Sequence, residues 1–170
     1  WVGLWQGVGF NKYNTKSNTF KRYALSKNSF KRDWYNSFLE DDKGRFLTGV
    51  WGGNGVHFFN RENENFETYN FNPADTPMDI MLNDLADDDS CIWTARNDGI
   101  IYKLDKTTKQ FQAFTFKEQV LEQVHTKSKI QKCNFSYFKN FYSILKTRQK
   151  EILFATSSGI ISLDSSRTHF

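Results

Sequence analysis

The sequence predicts an all-β chain of stacked four-stranded antiparallel units, and three observations predict it. An Asn or Asp is followed six positions later by Phe in four places: Asn14 and Phe20, Asn60 and Phe66, Asp105 and Phe111, Asp164 and Phe170. An aromatic residue or Leu precedes each Asn/Asp (Tyr13, Phe59, Leu104, Leu163), and a glycine stands five or six positions before it (Gly9, Gly55, Gly99, Gly159). The four Phe residues are 46, 45 and 59 positions apart. A fixed period of this kind marks a supersecondary unit that must stack on its neighbours to bury a core. The first two spacings suit one blade of a β-propeller, so the chain reads as a propeller segment of about three blades plus a partial one.

Each unit divides by its own turn chemistry. Placing the units in register sets Trp1-Val2-Gly3 on Leu47-Thr48-Gly49, Trp93-Thr94-Ala95 and Phe154-Ala155-Thr156. Tyr35 to Leu39 alternates into a first strand, and Asp41-Asp42-Lys43-Gly44 is a turn in which Gly44 supplies positive φ. Arg45 to Val50 is a second strand, whose Gly49 admits a close neighbour. Gly52-Gly53-Asn54-Gly55 connects to a third strand, Val56 to Phe59. After the hairpin from Asn60 to Asn65, Phe66 to Tyr69 forms the outer strand. The units expected are about 1–23, 34–69, 82–116 and 141–170.

The six-residue step has a mechanical cause. Asn or Asp at the strand end caps its own turn by side-chain hydrogen bonding, and the Phe beyond the turn is expected to return to the apolar face and pack on the next blade. The period breaks at 117–140, where the third-to-fourth connection is about a dozen residues longer than its counterparts. Residues 117–124 contain neither Gly nor Pro and are mostly good helix formers, so a short helix is expected there. Residues 134–138 lead back into strand. Insertions in repeat proteins gather on one face, often the binding face.

Composition narrows the function. With 170 residues, 38% of them hydrophobic and 17% aromatic, the chain can build a sizeable core, and two prolines argue against a low-complexity segment. Its apolar runs fall far short of the roughly 20 residues that span a bilayer, and no leader opens the chain. Any leader or anchor is expected outside these residues. The net charge of +4 comes from lysines scattered through the hairpins, which argues for solvated turns and against a nucleic-acid stripe. Cys91 and Cys133 are too few for a disulfide scaffold and lack metal spacing. A buried thiol at Cys91 is the default, and a Cys91–Cys133 bridge stays open in an oxidising compartment. His57, His125 and His169 have no ligand-spaced partners. The acidic runs Glu40-Asp41-Asp42 and Asp87-Asp88-Asp89 occupy equivalent positions before a second strand, as repeat turns do. No phosphate loop or nucleophile–base signature is present, so no catalytic residue, metal or cofactor is expected.

The succession of Trp-x-Gly, a Gly-rich link, hydrophobe-Asn/Asp, a hairpin, Phe-x-x-Tyr and Asp-Asp-Lys-Gly resembles the two-component-regulator propeller repeat. Trp1 to Tyr23 fits best and Leu47 to Tyr69 nearly as well, while the third unit has Ala95 for the Gly and the fourth has Phe154 for the Trp. The resemblance covers nearly all of the chain except the insertion. It implies the periplasmic sensor region of a Bacteroidetes-type hybrid two-component system. The parent would be a membrane-spanning sensor histidine kinase, with no enzyme activity in this segment. The ligands implied are oligosaccharides released from glycans. Three blades and a remnant do not close a ring, so a longer parent protein is expected.

In a propeller the link between second and third strands and the link into the next first strand open on one face. Those links carry the candidate ligand-binding residues Trp5, Gln6, Trp34, Tyr35, Trp51, Asn54, Arg96 and Asn97. Flat aromatic faces suit the C–H patches of sugars, and amide and guanidinium groups suit their hydroxyls. The competing reading is that the tryptophans only pad adjacent blades. Two further alternatives are a non-binding scaffold for a homodimer or protein partner, and a lyase or glycosidase on the same fold.

Overall fold

The computed structural model describes residues 1–3, 9–23, 34–51, 55–71, 81–97, 99–115, 140–157 and 159–163. Every regular element among them is a strand, and every printed ladder is antiparallel. The strands form four sheets, each ordered as a meander. The first holds β1 (Val2–Gly3), β2 (Phe10–Asn14) and β3 (Thr19–Tyr23). The second holds β4 (Trp34–Glu40), β5 (Phe46–Trp51), β6 (Gly55–Phe59) and β7 (Phe66–Asn70). The third holds β8 (Leu82–Asp88), β9 (Cys91–Arg96), β10 (Ile100–Asp105) and β11 (Phe111–Thr115). The fourth holds β12 (Phe141–Lys146), β13 (Ile152–Thr156) and β14 (Gly159–Leu163). The expected helix at 117–124, the strand lead at 134–138 and the fourth hairpin, Asp164 to Phe170, lie outside the described residues. Two compact units, Trp1–Leu82 and Asn83–Phe170, divide the chain.

The hairpins show why Asn or Asp recurs. Asn14 Oδ1 accepts from the amides of Lys16 and Ser17 at 2.9 and 3.2 Å. Asn60 Oδ1 does the same with Glu62 and Asn63, and Asp105 Oδ1 with Thr107 and Thr108. The Thr108 and Thr107 amides hold the Asp105 carboxyl below its usual pKa. Four positions past each Asn/Asp the backbone turns left-handed, at Asn18 (φ 55°), Glu64 (56°) and Lys109 (61°). Glu64 then reaches back to the first sheet, accepting from Lys21 Nζ at 2.5 Å and from the Tyr23 hydroxyl at 2.9 Å. The Lys21 bond, more than the Tyr23 bond, lowers the Glu64 pKa.

The ladders correct two expectations. Phe66 pairs with Phe59, which pairs with Phe46, so the three share a face. Phe66 has its ring centroid 5.6 Å from that of Phe10 and therefore packs on the preceding sheet, not the next one. In the fourth unit Leu163 pairs with Ile152, as Phe59 pairs with Phe46 and Leu104 with Ile92. The true counterpart of Leu47 and Trp93 is thus Leu153, and Phe154 points to the opposite face. The shift follows from unequal loop lengths before the hairpin Phe, which a count anchored on that Phe absorbs in the wrong place. In correct register one position is always small: Gly3, Gly49, Ala95 and Ala155. A Cβ on Gly3 would lie 2.5 Å from the Phe38 ring, and one on Gly49 would lie 2.7 Å from Ser37 Oγ.

Each unit has its own core. In the first, Trp1, Phe10 and Tyr23 of one sheet meet Tyr35, Phe38, Phe46, Phe59 and Phe66 of the next. In the second, Trp93, Ala95 and Ile101 meet Phe141, Ile144, Ile152, Phe154, Ile161 and Leu163. Trp93 is fully buried, and its indole N–H donates to Asp88 Oδ2 at 3.2 Å. A buried indole needs such an acceptor.

All four third strands are preceded or opened by a glycine at positive φ: Gly9 (82°), Gly55 (150°), Gly99 (90°) and Gly159 (134°). At Gly55 a Cβ would lie 1.9 Å from the Tyr69 carbonyl oxygen, a backbone atom that cannot swing away. Gly55→Ala is therefore expected to cost about 2 kcal/mol or more in chemical denaturation, whereas a substitution at exposed Lys16 should change stability by less than about 0.5 kcal/mol.

Candidate functional site

The candidate site is one end of the sheets. Trp34 pairs with Trp51 and Phe141 pairs with Thr156, so the start of each first strand lies beside the end of the second. Links into the first strand and out of the second therefore open at the same end within a sheet. A β-bulge lies within the first two pairs in both cases, after Tyr35–Val50 in the second sheet and after Phe141–Thr156 in the fourth. Bulges re-aim side chains beside strand ends. In the second unit the bulge region is tied down by polar side chains. Asn83 Nδ2 donates to the Phe141 carbonyl. Asp84 Oδ2 accepts from Ser143 Oγ at 2.7 Å and from the Ile144 amide at 2.8 Å.

The structure separates the expected site residues. Trp34 and Trp51 are cross-strand partners at this end of the second sheet. Tyr35 is only 6% exposed, and its ring lies 5.1 Å from that of Phe10. It belongs to the core between two sheets and not to an open face, because the strand alternation beside the bulge turns it inward. Arg96 is likewise buried, at 8% exposure. Its Nη1 donates to the Tyr102 hydroxyl at 2.9 Å, and the guanidinium lies 5.6 Å from the centre of that ring. Asn97, the next residue, is half-buried in the turn that leads to Gly99. Trp5, Gln6 and Asn54 lie outside the described residues.

The other polar groups singled out in the sequence hold structure. Asp41 Oδ1 accepts from the amides of Lys43 and Arg45, and its Oδ2 accepts from Arg45 Nε at 2.6 Å. Asp87 pairs with the buried Lys106, and Asp88 with Lys146 at 3.2 Å. Cys91 is buried and its thiol donates to the Asp88 carbonyl at 3.5 Å, and Cys133 lies outside the described residues. Among the described residues no cluster of His, Cys, Asp or Glu has the geometry of a metal site. Asn83 and Asp84 were not legible as joint-makers. Their only signal is two polar residues in succession between Leu82 and the Leu85-Ala86 pair of β8.

His57 is buried in β6, with Nδ1 2.8 Å from Thr68 Oγ1 and no partner at Nε2. His125 and His169 lie outside the described residues. Burial pushes the His57 pKa down from 6.5 to about 4. The unfolded chain then binds more protons than the folded one between those values. Stability should fall as pH drops from about 6.5 toward about 4 and flatten below, with a total loss of order 3 kcal/mol. Denaturation midpoints measured across that window test this, and His57→Gln should remove this component of the slope.

No family model matches the chain, and no curated protein does. Solved structures do. The chain is similar to the extracellular domain of the hybrid two-component system BT3049 from B. thetaiotaomicron, at 15% identity and TM-score 0.67 over 97% of this chain and 20% of that one. It is also similar to the extracellular domain of BT4673 from the same organism, at 13% identity and TM-score 0.57 over 92% of this chain and 24% of that one. A catalytically inactive variant of virginiamycin B lyase from Staphylococcus aureus, with quinupristin, matches at 13% identity and TM-score 0.63, over 92% of this chain and 48% of that one. At these identities the likeness establishes the fold, a β-propeller segment. The chain spans between a fifth and a quarter of the length of the two sensor domains it matches.

Proposed function

We propose that this chain is part of the extracytoplasmic, periplasmic sensor propeller of a hybrid two-component signalling protein, and that the sensor detects glycan-derived oligosaccharides. The observation that carries the reading is the fold match to extracellular domains of two such systems over at least 92% of the chain. The repeat resemblance in Trp1 to Tyr23 and Leu47 to Tyr69 supports it independently. Membrane attachment belongs to the parent protein; among the described residues no helix is long and apolar enough to cross a membrane.

In this reading Trp34 and Trp51, with Trp5, Gln6 and Asn54, supply ligand contacts at the open end of the sheets. Arg96 orients the neighbouring turn from below through Tyr102, and Asn97 offers its amide to the ligand. Tyr35 supports the site through packing. An isolated Trp51→Ala substitution should weaken oligosaccharide binding about tenfold or more, since covering a large apolar side chain is worth about 1.5–3 kcal/mol. Isothermal titration and thermal shift with oligosaccharides from plant and host glycans measure this. An unchanged melting temperature with every such oligosaccharide, in the parent protein as well as in this chain, defeats the sensor reading.

A second reading is a scaffold that holds a dimer or protein partner without touching a small ligand. Under it the tryptophan substitutions leave signalling intact. The lyase likeness motivates a third reading, which turnover of a streptogramin-type substrate by the purified chain would establish.

A further inference from the structure

The ladders define equivalent positions at the link end of the sheets. Thr48 Oγ1 donates to the Ser37 carbonyl and Thr94 Oγ1 to the Asp84 carbonyl, both at 2.9 Å. Ser143 pairs with Ala155 as Ser37 pairs with Gly49. Ser37, Asp84 and Ser143 are therefore equivalent, and the residue three positions earlier is Trp34 in the second sheet and Asn140 in the fourth. Two positions past Gly49, Ala95 and Ala155 stand Trp51, Asn97 and Ser157. The Ser157 amide donates to the Asn140 carbonyl at 3.0 Å, so these two close the fourth sheet where the Trp34–Trp51 pair closes the second.

Asn140 and Ser157 are exposed and stand outside β12 and β13, beyond the last ladder pair, so they belong to the links and not to a sheet face. Asn97 holds the same position in the third sheet and keeps partial exposure although the fourth sheet packs beside it. Accessibility at this position thus survives the packing of a following sheet. Asn83, at the start of β8, donates to the carbonyl of Phe141, at the start of β12, which sets the link ends of these two sheets side by side.

The backbone under these groups is fixed. Asn140 directly precedes the carbonyl that Asn83 holds. Asp84 Oδ2 binds Ser143 Oγ and the Ile144 amide, and its Oδ1 accepts from the Leu85 amide at 2.9 Å, which fixes the carboxylate itself. The turn that carries Asn97 is closed by the Gly99 amide, which donates to the Arg96 carbonyl at 3.3 Å. Polar groups on a fixed support lose less freedom when they bind.

We propose that Asn140 and Ser157, together with Asn97, form a hydrogen-bonding station for the hydroxyls of one sugar residue. The inference rests on the oligosaccharide-sensor reading and names the chemistry that this end supplies. A carboxamide presents donors and an acceptor to neighbouring hydroxyls, and a serine hydroxyl does both. The second sheet places tryptophans at the two positions where the fourth places an amide and a hydroxyl. Apolar contact discriminates weakly between sugars of similar outline, whereas a site built to pair with a hydroxyl rejects a partner that presents it wrongly. The station therefore reads the orientation of sugar hydroxyls.

The test begins with an array of plant and host oligosaccharides probed with the parent protein. Titration calorimetry then compares the oligosaccharide it identifies with epimers inverted at single hydroxyls. Asn140→Ala and Ser157→Ala should each weaken binding about fivefold, the value of one hydrogen bond, and should narrow the ratio between the preferred sugar and at least one epimer. Ser157→Thr, which keeps the hydroxyl, should retain that ratio. The unliganded melting temperature should stay unchanged in all three variants, since each alters an exposed link residue. An array on which the unaltered parent binds nothing removes the sensor reading and this inference with it. A bound oligosaccharide whose affinity and epimer ratio are the same in both alanine variants overturns the station alone.

Discussion

Phe10 has its ring centroid within 5.7 Å of those of five aromatic residues in the next sheet: Tyr35, Phe38, Phe46, Phe59 and Phe66. Face-to-face packing of consecutive sheets is the constraint from which the remaining features follow. It demands that strands be apolar on the faces they bury, which explains the aromatic content. It demands a small residue where the approach is closest, and Gly3, Gly49, Ala95 and Ala155 meet that demand. Hydrophobic burial has no direction of its own, so polar bonds set the angle between sheets. Glu64 with Lys21 and Tyr23 does so at the outer rim of the first unit, and Asp84 with Ser143 does so at the inner strands of the second.

The same packing explains where chemistry is free to vary. The strands are committed to burial on their joint-forming faces, and the hairpins are held by their own Asn or Asp. The links at the strand ends carry neither the strand alternation nor the hairpin Asn or Asp in their sequence. The candidate binding groups sit in or next to those links, and the buried Arg96–Tyr102 pair stands one residue behind one of them. A rigid scaffold carrying variable connections is a common arrangement for recognition.

Much of the fold was legible in the sequence because its signals are local. Asn14, Asn60 and Asp105 cap their own turns, Gly44 takes positive φ, and β4 to β7 fall within about a residue of their expected bounds. Direction across a sheet was less legible. A strand repeats every two residues, so a one-residue error turns a side chain to the wrong face; that is what happened at Phe154 and Leu153. Phe66 was assigned to the wrong neighbour for a related reason, since sequence order does not say which sheet a face looks toward. Tyr35 and Arg96 read as site residues because they adjoin links, and only the bulge and the Tyr102 hydroxyl reveal that they point inward. The Lys21–Glu64 bond joins residues 43 positions apart and leaves no local trace.

The self-capped hairpins have a practical meaning for following this protein at work. Lys16, Glu62 and Thr107 sit at turn tips where their backbone amides, but not their side chains, bind the capping residue. A fluorophore or spin label attached through any of these side chains leaves the cap and both neighbouring sheets undisturbed. The repeat thus supplies equivalent attachment points on successive sheets, from which the distances between sheets can be followed while a ligand binds.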